Sequence, residues 1–235
     1  MSDDTFIRYI DIPSKELSRL AIHQEKVGDV GCVVWDAALV LAYYLQTQKA
    51  RDHFVRNKNV IELGAGTGIV GLVAAACGAK LVILTDLPEL LPLLQKNVVE
   101  NQEVFKENDR NVNIFQLRWG NIDDMNTIVK NTFMFSKDNS IKHEFHCVLL
   151  ADCVYYDEAV EPLAITINHI IKTSLNDTIV LCCFEDRDTG NKQELQERFR
   201  YILSKKFKLK IHQVPYSDMH DEFRSPDIHI FRISK

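Results

Sequence analysis

No cysteine pair in this 235-residue chain has the C-x-x-C spacing of a zinc site or redox dithiol, and six cysteines are too sparse for a disulfide scaffold. Cys32, Cys77, Cys147, Cys153, Cys182 and Cys183 are therefore expected to be reduced, mostly buried as small hydrophobes, and without a metal. No long apolar run is present either. The longest apolar-and-glycine stretch, residues 69–79, falls short of the roughly 18 residues a membrane span needs. The start, Met1-Ser2-Asp3-Asp4, lacks a basic region followed by an apolar one, so secretion and membrane insertion are not expected. Charge of one sign is also missing: Lys+Arg 28 against Asp+Glu 33 leaves a net charge of -5 without a polybasic arm, which disfavours nucleic acid as a partner. The expected location is the cytoplasm, with the nucleus as a second compartment.

What is present suits a buried core. Hydrophobic residues make up 46% of the chain, enough for a single domain over residues 1–235. Two short β-like runs at 6–10 and 17–22, separated by Pro13-Ser14-Lys15, predict an N-terminal hairpin extension within residues 1–27. Asp36 is placed to cap a helix over 37–45. Strand-like runs then recur at 60–63, 81–85, 112–117, 145–150, 178–184, 207–214 and 228–233, with helical segments near 69–77, 87–101, 157–174 and 190–204. Strand-then-helix alternation predicts an α/β, Rossmann-like, mostly parallel seven-stranded sheet with helices on both faces. The last two runs have no room for a crossover helix between them, so the final strand is expected to be antiparallel. Residues 125–143 are polar with little periodicity and read as a surface insertion. Lys205, Lys206, Lys208 and Lys210 read as the solvated border of an edge strand.

The most chemical segment is Val60-Ile61-Glu62-Leu63-Gly64-Ala65-Gly66-Thr67-Gly68-Ile69-Val70-Gly71, a strand entering a glycine turn and then a helix. Its glycines let the backbone turn sharply and let a ligand approach, and Asp86, about 20 residues on, is placed to accept hydrogen bonds from ribose hydroxyls. A nucleoside cofactor is expected at the carboxyl ends of the strands. Gly66-x-Gly68-x-x-Gly71 followed by Asp86 also satisfies the dinucleotide fingerprint, so spacing alone leaves NAD and S-adenosylmethionine both open. Glu62 and the extra Gly64 favour S-adenosylmethionine, because a carboxylate beside the turn suits a cationic methionine end and would repel pyrophosphate.

Glu62-Leu63-Gly64-Ala65-Gly66-Thr67-Gly68 closely resembles the first motif of seven-stranded class I methyltransferases. Four further segments narrow the likeness: Gly31-Cys32-Val33-Val34-Trp35-Asp36, Leu117-Arg118-Trp119-Gly120, Ala151-Asp152-Cys153-Val154-Tyr155-Tyr156 and Cys182-Cys183-Phe184-Glu185-Asp186-Arg187. Together they resemble the lysine methyltransferases of non-histone proteins such as chaperones and ATPases, over roughly residues 28–233. His220-Asp221-Glu222-Phe223-Arg224-Ser225-Pro226-Asp227-Ile228-His229 strengthens the likeness to the branch that modifies valosin-containing protein, a hexameric AAA ATPase. The resemblance implies a monomer that binds S-adenosylmethionine and a protein substrate. It puts Trp35, Gly64, Gly66, Asp86, Trp119 and Ala151 around the cofactor, beside Glu62 and Ala65 of the turn. It also puts Asp152 and Tyr155, from its Asp-x-x-Tyr motif, at the acceptor amine, with Glu185 on the same rim. Simpler explanations stand next to these: Trp35 as a wedge under its helix, Asp152 as a helix cap, and Glu185 as a salt-bridge partner of Arg187. A chaperone, an elongation factor or a small molecule as substrate, and a non-catalytic cofactor-binding module, are the alternative functions.

Overall fold

The computed structural model describes residues 5–12, 19–26, 28–106, 111–133, 143–174, 177–187 and 190–235. In chain order the elements are β1 (Thr5–Asp11), β2 (Arg19–Glu25), α1 (Asp36–Gln46), α2 (Gln48–Ala50), β3 (Asn59–Leu63), α3 (Ile69–Ala76), β4 (Leu81–Asp86), α4 (Leu91–Glu100) and α5 (Gln102–Lys106). They continue with β5 (Asn111–Gln116), α6 (Ile122–Thr132), β6 (Cys147–Ala151), α7 (Asp157–Thr173), β7 (Ile179–Glu185), α8 (Lys192–Tyr201), β8 (Lys210–Gln213) and β9 (Ile228–Ser234). Seven strands form one sheet in the order β5-β4-β3-β6-β7-β9-β8. The first five are mutually parallel, and β9 runs antiparallel to both β7 and β8. The expected architecture is therefore present, with the last strand inserted between its two neighbours.

Both faces of the sheet are covered, which explains why the central strands are almost continuously apolar. Along β6, Cys147 and Leu149 face the core under α1 and α3, while Val148 and Leu150 face the core under α6, α7 and α8. Strand order reverses between β3 and β6, and in open α/β sheets that switch point opens a crevice at the carboxyl ends. Leu63-Gly64 and Ala151-Asp152 both emerge there.

The N-terminal hairpin pairs β1 with β2, and Ile10, Leu20 and Ile22 are buried in the same core as α1 and α3. The free edge of β2 is met by two amides one turn apart on and just after α4. Asn97 accepts from the His23 N–H at 2.7 Å and donates to its carbonyl at 3.0 Å, and Asn101 does the same for Ala21 at 2.8 and 2.9 Å. Asn97 Nδ2 also donates to the Thr67 carbonyl of the glycine turn, at 2.9 Å. The expected turn at Pro13-Ser14-Lys15 lies outside the described residues.

Three local expectations need correction. Asp36 does not cap α1; Trp35 holds the N-cap position without a side-chain bond, and Asp36 sits in the first turn, where a negative charge favours the helix dipole. Residues 207–209 are not strand, because a π-helical turn over Ile202–Lys206 carries the helix further and Lys208 adopts a left-handed φ of 61°. The insertion at 125–143 is not simply a loop. Residues 125–132 belong to α6, capped by Asn121 accepting from Asp123 and Asp124, with Met125, Ile128 and Val129 buried; residues 134–142 lie outside the described set. All six cysteines are buried and free of disulfides, as expected.

Candidate active site

The turn after β3 is built around close backbone contacts. Gly64 and Gly66 have φ of 62° and 52°, in the left-handed region that favours glycine. A Cβ on Gly64 would stand 2.9 Å from both Cys153 Sγ and Trp119 Cζ2, and one on Gly66 would stand 2.6 Å from the Gly31 carbonyl oxygen. The turn is held from two sides. Asp86 accepts from the Gly66 N–H at 2.6 Å and the Leu87 N–H at 2.7 Å; Glu62 Oε2 accepts from the Gly71 N–H at 2.7 Å. Burial pushes Glu62 up to about 8, against the pull of the Gly71 N–H, with the nearby Asp86 charge adding to the rise. Asp86 is raised by burial too, opposed by its two N–H donors.

Above the turn lies a cleft of about 350 Å³. Trp35, Glu62, Gly64, Ala65, Gly66, Asp86, Trp119 and Ala151 all line it, as do Asp152 and Tyr155. Glu62 lines the cleft from below, its carboxylate already committed to Gly71. Trp119 packs directly against Gly64, whose missing side chain makes room for the edge of that indole. Trp35 Nε1 donates to the Val30 carbonyl at 2.8 Å, and the Arg187 guanidinium lies 4.7 Å from its ring centre.

Also lining the cleft, Asp152 sits at a bend just past β6 with φ of 53°, its N–H donating to the Cys183 carbonyl at 2.9 Å. It is not a helix cap: α7 starts at Asp157 after an N-cap Tyr156 that makes no side-chain bond. Asp152 Oδ2 instead pairs with Arg187 Nη2 at 2.8 Å. Arg187 also holds Glu185, through Nε at 2.8 Å and a closer contact from Nη2. Neither Glu185 nor Arg187 is among the residues lining the cleft; the arginine ties Glu185 to Asp152, which is. Burial raises the Asp152 carboxyl, against the lowering effect of Arg187, and pushes the Tyr155 phenol well above its usual range, so Tyr155 stays protonated.

Sequence reasoning tied Arg187 only to Glu185 and missed its bond to Asp152, which joins strands β6 and β7. It also passed over Asp29, which lines the cleft mouth and accepts from the Gly31 N–H at 3.2 Å. An Asp two residues before a glycine is a turn signal that was available there.

Residues 14–204 match the lysine methyltransferase family. The chain is 34% identical over 217 residues to the zebrafish (Danio rerio) protein N-lysine methyltransferase METTL21A, covering 92% of this chain and 83% of that one. It is 41% identical over 151 residues to the mouse (Mus musculus) protein-lysine methyltransferase METTL21E, covering 64% of this chain. The chain spans 54% of that mouse relative's length. Among solved structures, the T. thermophilus 16S rRNA methyltransferase RsmC, in complex with AdoMet and guanosine, aligns with a TM-score of 0.53 at 14% identity, over 98% of this chain and 50% of that one. The O-methyltransferase from Bacillus cereus in complex with SAH aligns with a TM-score of 0.50 at 15% identity, over 88% and 84%. At such identities the structural likeness concerns the fold. Since the family match runs through both the glycine turn and the Asp152-to-Tyr155 bend that line the cleft, the chain belongs to the lysine methyltransferase family.

Proposed function

We propose that this protein is an S-adenosylmethionine-dependent protein-lysine N-methyltransferase of non-histone proteins, with a cytoplasmic or nuclear monomer as the working form. The observation that carries the proposal is that one cleft is lined both by the turn of Gly64, Gly66 and Asp86 and by Asp152 and Tyr155. The residues fit the donor. Trp119 presents to the cleft an indole suited to stacking on a flat base, and each Asp86 oxygen keeps a lone pair free for a ribose hydroxyl.

When bound, S-adenosylmethionine supplies a methyl group on a positively charged sulfur. The chain's own residues have to bring the amine in line behind it, and such positioning is a large part of the acceleration of a two-reactant step. A free lysine has a pKa near ~10.4, so reaching the neutral amine at pH 7 costs about 4–5 kcal/mol unless the site assists. Partial burial at the bend favours loss of that proton. Asp152 and the Tyr155 oxygen then accept hydrogen bonds from the amine and fix its lone pair.

Within the family we propose the hexameric AAA ATPase valosin-containing protein as substrate, on the likeness of residues 220–229 to the corresponding branch. Calorimetry with S-adenosylmethionine and NAD tests the donor: binding of the first alone is expected, and binding of NAD alone would overturn it. Mass spectrometry of the ATPase after incubation tests the acceptor. Methylation confined to a chaperone would move the protein to a sister branch, and methylated histidine would remove the lysine assignment.

A further inference from the structure

Arg187 reaches across the bend and touches three groups at once. Its guanidinium lies 4.7 Å from the centre of the Trp35 ring, pairs with Asp152 at 2.8 Å and grips Glu185. Lys192 Nζ, at 5.9 Å, approaches the same ring. The Asp152 side chain is only 7% exposed and that of Arg187 19%, so this is a partly desolvated site, where such contacts count for more than on an open surface. Without the arginine, an aromatic face and two carboxylates would surround a gap beside the cleft, and those groups together are what binds an alkylammonium ion. The target of an N-methyltransferase arrives as just such a cation.

We infer that Trp35, Asp152 and Glu185 form the entry subsite for the target ammonium group, and that Arg187 occupies this subsite until the target displaces it. The inference rests on the proposed function and deepens it: Trp35, which lines the cofactor cleft, also serves the acceptor, and Arg187 is a positioning residue that keeps the two carboxylates assembled while the subsite waits. An incoming lysine exchanges one cation for another, so the carboxylates never stand unpaired.

The test uses n-butylammonium as probe and the Trp35 indole N–H as reporter. The chain has only two tryptophans, and Trp119→Phe assigns their signals. Titration should move the Trp35 signal, and Arg187→Gln should tighten apparent binding by roughly fivefold or more by removing the internal competitor. Equal or weaker binding in that variant, or a response confined to Trp119, would overturn the inference. Should Arg187→Gln not fold, the wild-type protein decides: saturating probe should release the Arg187 Nε–H from its held position, and an unmoved signal counts against displacement. Methyl transfer to a lysine peptide is read separately. Transfer without a probe response removes the subsite and leaves the proposed function standing, whereas a probe response without transfer overturns the proposed function and, with it, the role of the subsite as the entry for a methylation target.

Discussion

Asp152 holds its carboxyl group at a left-handed bend, and that conformation narrows the choice of replacements. Asparagine tolerates it nearly as well as aspartate does, so Asp152→Asn should fold and keep most of its cofactor affinity. Turnover on a protein substrate should nonetheless fall on the order of 10²-fold, because orientation of the amine is realised mainly in the transition state. Single-turnover kinetics beside calorimetry checks this, and normal turnover would leave Tyr155 and Glu185 as the candidates. Glu62 lends itself to a different measurement. Its folded pKa of about 8 lies above its ordinary 4.5, so between those values the folded chain keeps a proton that the unfolded chain has lost. The contribution to stability is therefore full below the ordinary value, declines as pH rises and is gone once the folded value is passed. Glu62→Gln keeps an oxygen for the Gly71 N–H and removes the titration. Thermal melts should show the variant gaining on the wild type at about pH 8.5 and not at about pH 5. A cationic ligand above the turn would favour the ionised form, so cofactor binding should release a proton near neutral pH.

Among the elements, α6 offers the sharpest case. Met125, Ile128 and Val129 bury the face that closes the core beneath β4 and β6. Ile128→Ala should cost about 2–5 kcal/mol in urea unfolding, whereas a loop residue would cost little. The helix was legible in principle, since Asn121 is a capping residue and Ile122, Met125, Ile128 and Val129 repeat at helical spacing. A segment that starts at Met125 lacks the cap and the first turn of this helix, and the polar residues after the helix dilute its periodicity. The sheet was legible because buried parallel strands leave apolar runs that solvent-facing strands do not. Most of the site was legible for a similar reason: the glycine turn, Asp86 and the Asp152 bend each lie at a strand end. The partner of Asp152 was not, because Arg187 lies 35 positions away in sequence and only the parallel pairing of Ala151 with Cys183 brings them together. The edges also follow from composition. β8 is four residues long and starts with Lys210, and Lys206 just before it pairs with Glu161, so the lysine run borders an edge strand as expected.

At the scale of the whole molecule, a net charge of -5 gives a chain that attracts cationic segments more than it repels them, which suits a lysine-bearing target. The cleft also does not stand apart from the rest of the chain. Asn97 grips the backbone of His23 on one side and the Thr67 carbonyl of the glycine turn on the other, so the hairpin and the turn share one amide. Through that shared amide, a ligand that steadies the turn is expected to steady the hairpin too. Hydrogen–deuterium exchange would show this as slower exchange of the Ala21 and His23 amides when S-adenosylmethionine is added, although neither residue lines the cleft. Asn97→Ala should abolish that remote protection while the ligand still binds. The N-terminal hairpin would then act as a gauge of cofactor loading, able to present one surface to a protein partner when the donor is in place and a looser one when it is not.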